Sequence, residues 1–422
     1  MAHSTHETRS RAVPRAALSE PPSLGRGLVL LMALAAALSC AGNYFAQPLL
    51  DIIEVNLHIG VTAAGLIVTA AQAGYALGLI LLVPLGDVMD RRRLAVGLFA
   101  LTAFFLLVTA AAPTGPWLIA GTLLTALTSV GAQVVVPFAA ALAAPAERGR
   151  IVGVVMSGVL LGGLFGRLAA GALSELGGWR TVYWVNALLM AAMAILLHNR
   201  LPRLPRPRST STMSYTGLLR STLALLREEP LLRRRAAVGA FSMASYSVQL
   251  TALTFLLTRP PFHWNAAAIG LFGLVGVIGV VGMNIAARLS DRGRVQAVSG
   301  TAAALLTLAW LPLLAGESSL LWLTVGVILL NIAQQAGLNS SQNVIYALRP
   351  EARNRINSAF MTLFFMGGAA GAALASVVWS RAGWSGICLL GGALAAGSLV
   401  LWILERVRAA SAARPGAVTV SR

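Results

Sequence analysis

About twelve apolar stretches, each near the length of a bilayer crossing, follow one another almost from end to end of this chain. A helix needs roughly 20 apolar residues to span the hydrocarbon core. The stretches fall at 27–50, 61–84, 94–112, 116–140, 151–173, 180–198, 236–257, 266–287, 295–315, 319–346, 357–379 and 384–404. Each is bounded by Gly, Pro or charge clusters, the residues that punctuate helices. The alternating decads of an outer-membrane barrel are absent from the sequence. Only 11% of the residues are charged, against about a quarter in a soluble domain. That excludes an ordinary water-soluble enzyme and predicts an all-α integral membrane protein with twelve transmembrane helices.

The charge that remains is placed one-sidedly. All 32 basic residues are Arg, and the net charge is +18. Cytoplasmic loops hold the excess of positive charge. With the amino terminus inside, 28 of the 32 Arg fall in the tails and in every second loop, among them Arg91 to Arg93, Arg148, Arg150, Arg288, Arg292 and Arg294. Arg180, Arg259 and Arg381 fall at outer ends, and Arg167 within the fifth span. Both termini are therefore expected in the cytoplasm, with the protein multi-pass in a bacterial inner membrane. A nucleic-acid partner is excluded on the same count, because such patches gather on one face with aromatic residues interleaved. The first 26 residues are polar, and the first span is expected to be retained as an anchor. Cys40 and Cys388 sit in opposite terminal spans and read as small core residues.

The longest polar stretch divides the chain into six spans and six. The expected organisation is a cytoplasmic tail at 1–26, a bundle at 27–198, a linker at 199–235, a second bundle at 236–405 and a tail at 406–422. The linker opens on Pro202, Pro205 and Pro207 and continues through Leu218, Leu219, Leu223, Leu225 and Leu226 with Arg220 and Arg227 interleaved. That pattern predicts a tether carrying a short amphipathic helix on the inner membrane face. The bundles repeat each other. Pro145, Arg148, Arg150, Ile151, Gly162, Gly163, Gly166, Gly178 and Trp179 recur 205 positions later as Pro350, Arg353, Arg355, Ile356, Gly367, Gly368, Gly371, Gly383 and Trp384. Asp87 recurs as Asp291 at an offset of 204, and Tyr44 and Gln47 recur as Tyr246 and Gln249 at 202.

Two six-span repeats joined by a basic loop resemble the major facilitator superfamily, and a loop motif sharpens the resemblance. The family's G-x-L-x-D-R-x-G-R-R segment corresponds to Val83 through Arg92, where Leu85, Asp87, Arg91 and Arg92 match while Val83, Val88 and Asp90 depart from it. The second copy, Ala287 through Arg294, keeps Asp291 and Arg292. The resemblance implies two pseudo-symmetric six-helix bundles in a monomer, with spans one, four, seven and ten lining a central cavity. An Asp at the cytoplasmic end of a span can pair with cations or with a helix amino terminus. Asp87, Arg91, Arg92, Asp291 and Arg292 are thus expected to form a cytoplasmic gate whose bonds break as the halves rock.

Polar side chains at membrane depth face protein or a watery cavity. They collect in the spans just named: Asn43, Tyr44 and Gln47 in the first, Gln133 in the fourth, Tyr246 and Gln249 in the seventh, Asn331, Gln335 and Asn339 in the tenth. Gln72 and Tyr75 lie in the second. In the tenth span, 331, 335, 339 and 342 fall within about 80° of one another at about 100° per residue. These residues, with Arg167, are the candidate substrate contacts. Arg167 itself has three readings: a pair with Asp51 or Glu54, a site for an anionic substrate group, or snorkelling to the outer headgroups.

The fifth span, with Gly158, Gly162, Gly163, Gly166 and Gly171, resembles the glycine-rich segment of the superfamily's antiporters. With Gly270, Gly273, Gly276, Gly279 and Gly282 of the eighth span, it predicts a tight, slidable contact between the halves. The expected function is alternating-access export of a small amphipathic or polar compound, with protons as the coupling ion and Asp51 as the nearest candidate acid. The alternatives are a uniporter or importer of a polar metabolite, or a transport-incompetent receptor or assembly partner. No grouping of catalytic or metal-ligating residues points to an enzyme or to a cofactor.

Overall fold

A computed structural model describes residues 25–144, 147–202, 214–349 and 352–412, and among these the only regular structure is helical. Nine stretches of this helical structure are long and apolar enough to cross a membrane. Two of them double back on themselves. In α17 (Arg353–Ala412), Gly383 has φ 57°, a left-handed conformation that favours Gly because it lacks a Cβ. On one side of it Gly367 and Gly371 approach Ala240 and Ala244 in rising order. On the other, Gly391, Ser398 and Glu405 bond Ser245, Val238 and Arg235 in falling order. The two limbs therefore run in opposite directions. Gly293, at φ 79°, marks a second reversal, after which Ser299 and Ala302 pair with Ser340 and Gly337 in falling order.

Several helices are broken, and the breaks set the site. The first apolar helix, α1 (Arg26–Ala41), is 16 residues long and ends in a turn at 42–46 before α2 (Leu50–Leu57) resumes the path. The fourth stretch splits into α6 (Gly115–Thr128) and α7 (Gly131–Leu142). Ser39 satisfies the backbone freed there: its hydroxyl donates to the Ser129 carbonyl (2.5 Å) and accepts from the Ala132 N–H (3.0 Å). A break at membrane depth survives only where such partners replace the lost ladder bonds.

The helix ends do not fall on the expected domain limits. Helix α10 (Tyr215–Glu228) occupies the linker with Leu218 and Leu225 buried, and α11 (Pro230–Leu257) starts six residues before the expected bundle. The last helix runs through Arg406 and Arg408 to Ala412, so the expected second tail begins inside it. Leucine and alanine around these Arg let the helices extend past the apolar core. The first tail up to residue 24, Pro145, Pro205, Pro207, Pro350 and 413–422 lie outside the described residues.

The internal repeat reappears as a packing device. Gly162 and Gly166 of α8 (Arg148–Gly177) meet the backbone of Ala37 and Ala41, and Gly367 and Gly371 meet that of Ala240 and Ala244. A Cβ at Gly162 or Gly367 would stand 2.1 or 2.2 Å from a carbonyl oxygen. These contacts pair Ala37 with Ala240 and Ala41 with Ala244, a register of 203 positions between α1 and α11. Tyr44 and Gln47 keep their offset of 202 from Tyr246 and Gln249, a drift of one residue beside the turn at 42–46.

Most fifth-span glycines thus pack α8 against its own half. Gly279 and Gly282 of α13 (Ile278–Leu289) likewise face Gln335 and Ile332 of α16 (Leu320–Tyr346). Contact across the halves is left to Gly171, against Ala266, and to Gly270 and Gly273, against Arg167. The expectation of a glycine seam along the whole of both spans is corrected to this short segment. A longer seam joins α3 (Val61–Leu81) to α17, from Gly65 against Ser376, through the rings of Tyr75 and Phe365 (centroids 4.6 Å apart), to Ser358, which donates to the Leu79 carbonyl (2.6 Å).

Candidate functional site

A cavity lies between the halves, lined by Gln47 and Arg167 from one and by Tyr246, Gln249, Thr254, Phe272 and Asn331 from the other. Gln47 reaches it because the chain turns at 42–46 and opens a short 3-10 turn at Gln47–Leu49. The Arg167 Nε donates to Gln47 Oε1 at 2.8 Å, and its guanidinium carbon stands 4.6 Å from the centre of the Tyr44 ring. This is a cation–π contact beside a neutral amide, and no carboxylate takes part. Pairing with Asp51 or Glu54 is corrected: α2 carries both beyond Gln47, and among the described residues Arg167 forms no ion pair.

On the opposite wall the Tyr246 hydroxyl donates to Asn331 Oδ1 (3.0 Å), whose amide nitrogen donates back to the Val327 carbonyl. Gln249 is fully buried, and neither of its amide atoms has a partner among the described residues. Asn43 Oδ1 and Gln47 Nε2 are also buried without a partner. The halves also touch at the end away from the Arg clusters. There the Thr254 hydroxyl donates to the Gln47 carbonyl (2.8 Å), and α12 (Ala266–Phe272) lies over α8. Threonine in an apolar helix gave no sequence signal of this bond, since the same hydroxyl can bond its own helix.

Of the other residues singled out from the sequence, Gln133 donates to the Tyr75 hydroxyl (3.3 Å) and lines a separate cleft at the Arg-rich end. Gln335 packs beside Gly279, and Asn339 accepts from Asn343 (3.2 Å); neither lines the cavity. The stripe on α16 thus serves several neighbours, with Asn331 its cavity member.

The Arg-rich cleft is bordered by Asp87, Arg91, Pro137, Arg355 and Asn357. Asp87 stands 3.7 Å from Arg91, one turn away in its own half. Arg91 also donates to the Gly86 and Pro137 carbonyls, and Arg92 to that of His198, so both brace their own bundle. The cation facing Asp87 across the cleft, Arg355, is held by Ser221 (3.1 Å). Asp291 and Arg292 are exposed on the turn through Gly293, and neither forms an ion pair among the described residues. In this conformation the expected gate charges therefore do not join the halves.

Asp51 is half-buried in the first turn of α2. Burial, with Asp51 beside it, pushes the Glu54 carboxyl above the usual carboxylate range, and Arg259 from the other half opposes that shift. A buried ion pair escaped sequence reasoning altogether. Arg235, counted as a loop charge, is fully buried and meets Glu405 at 2.5 Å, with Ser299 and Gln296 at 2.8 Å.

Known proteins resemble this chain in sequence and fold. The chain is 44% identical over 379 residues to an uncharacterized transporter, YgaY, of Escherichia coli O157:H7, covering 90% of this chain and 95% of that one. A chloramphenicol resistance protein of Streptomyces lividans is 28% identical over 286 residues, 66% of this chain and 70% of the other. The fold matches the crystal structure of the human organic anion transporter MFSD10 with a TM-score of 0.69 at 20% identity, over 89% of this chain and 99% of that one. Residues 32–334 match the family model of the Major Facilitator Superfamily. On these matches and on the paired-bundle architecture, the chain belongs to the Major Facilitator Superfamily of membrane transporters.

Proposed function

We propose that this protein is a monomeric, twelve-crossing, alternating-access exporter of a small amphipathic or polar compound across the bacterial inner membrane. The observation that carries the reading is the cavity shared by Gln47 and Arg167 of one half and Tyr246, Gln249 and Asn331 of the other. A site at the interface of two repeats can be exposed to either side by rocking one against the other. The Arg bias assigns the Arg-rich end to the cytoplasm. In the conformation described the halves meet at the outward end, at Thr254 and α12, and at Ser358 beside a cleft on the cytoplasmic side. The likeness to a chloramphenicol resistance protein favours export over import.

Exchange for protons is the coupling we assign, through the carboxylates Asp51 and Glu54 beside the outward seam. Everted membrane vesicles test the proposal. Given labelled small amphipathic compounds, chloramphenicol among them, vesicles bearing the protein should accumulate at least one above control vesicles. Collapsing the pH gradient should abolish accumulation, and Asp51→Asn with Glu54→Gln should uncouple it. Accumulation of none would sink the transporter reading, and accumulation indifferent to the gradient would sink the coupling.

A further inference from the structure

We propose that Arg167 and the amides facing it bind a small amphipathic monoanion, a carboxylate or sulfonate on an apolar body. The inference rests on the cavity being the transport site. Arg167 is the charged side chain that lines this cavity, deep within α8. A cation away from water is costly unless it is paired. Its partners among the described residues are both neutral: the Gln47 amide oxygen and the Tyr44 ring. Gln47 takes the Nε hydrogen, one of five that a guanidinium offers. Snorkelling to headgroups does not fit, because the side chain turns inward to Gln47 and Gly270 and Gly273 lie over its backbone and Cδ.

Gln249 supplies the second, independent observation. Its side chain is fully buried at the same cavity, with neither amide atom bonded among the described residues. Buried amides are nearly always satisfied. The Gln47 amide nitrogen shares the condition on the facing wall. Guanidinium and amide N–H groups on two walls of one cavity suit a planar oxyanion, which takes several donors at once. One cation implies one negative charge. Leu250, Leu253, Ile269 and Phe272 line the rest of the space and suit an apolar body.

The purified full chain in detergent, titrated during thermal unfolding with benzoate, phenylacetate and naphthalene sulfonate, each beside its neutral amide, tests the site. At least one anion should protect the fold at roughly tenfold lower concentration than its amide. Arg167→Gln should erase that preference, and Arg167→Lys should keep part of it. If no anion outdoes its amide in the unaltered protein, or if the preference survives in Arg167→Gln, the proposal is overturned; the first outcome needs no variant to fold. Vesicle export of a neutral compound that is indifferent to Arg167→Gln would also overturn it, while leaving the transporter reading intact. An anion that is bound but never moved would do the reverse.

Discussion

Gly171 meets Ala266 so closely that a Cβ on the glycine would stand 2.4 Å from the alanine's carbonyl oxygen. The opposing atom is backbone at the start of α12 and cannot swing aside as a side chain would. Gly171→Val should therefore force the fifth and eighth spans apart at the outward end. Overpacking costs about 1–3 kcal/mol, which converts to roughly a 5- to 150-fold shift between two conformations. In a background with Cys40 and Cys388 replaced by Ala, Leu250→Cys in the cavity wall should react correspondingly faster with an impermeant maleimide from the outer side. An unchanged rate would show that this contact does not hold the seam shut.

Two hydroxyls tie the halves together in the same conformation. Thr254 donates to the Gln47 carbonyl and Ser358 to the Leu79 carbonyl. Each bond contributes about 1 kcal/mol net, so Thr254→Val and Ser358→Ala should each deplete this conformation by roughly fivefold. Spin-label distances across the outward end should lengthen in Thr254→Val. Those across the Arg-rich end should respond to Ser358→Ala. A distance distribution unchanged in both variants would remove the hydroxyls from the gating contacts.

The sequence-level view of this fold rests on strong signals: long apolar runs, a one-signed charge bias and a glycine repeat. What those signals could not carry is direction around a helix axis. The repeated glycines predict close packing, yet Gly162 and Gly371 could each have faced either half; the structure turns each toward the first spanning helix of its own half. Arg235 illustrates the same limit. Counted among the Arg residues between 200 and 235, it reads as topology, but α11 starts early enough to bury it against Glu405. Tyr44 and Gln47 were legible as candidate contacts because polar side chains at membrane depth face protein or a watery cavity, and the structure brings Gln47 to the cavity lining and the Tyr44 ring against Arg167. Their geometry was not, since it depends on a turn after Gly42 that no Pro announces.

The Arg235–Glu405 pair links the start of the seventh span to the end of the twelfth, with both side chains nearly inaccessible. Removing one partner leaves a buried charge uncompensated, a loss of about 3–5 kcal/mol. Glu405→Gln should lower the unfolding midpoint sharply in detergent. Arg235→Met combined with Glu405→Leu should be no worse than either single change, because two well-packed apolar side chains need no desolvation. A double variant less stable than both singles would contradict the desolvation argument.

Asp87 and Arg91 are 3.7 Å apart and partly exposed, which limits their mutual bond to less than about 1 kcal/mol. Stability therefore gives little reason for an acid at this position, and Asp87→Asn should leave the unfolding midpoint almost unchanged. Its transport consequence should be larger. Across the cleft stands Arg355, at present held by Ser221 of the linker helix. When the halves close at the Arg-rich end, Asp87 is the acid of that cleft placed to receive it. Losing a pair formed in only one of two conformations changes their ratio by roughly 5- to 150-fold. We expect Asp87→Asn to reduce vesicle transport by about tenfold at equal protein level, and Arg355→Gln to do the same with no further loss when the two are combined. Additive losses would mean that the residues act separately and that the gate lies elsewhere.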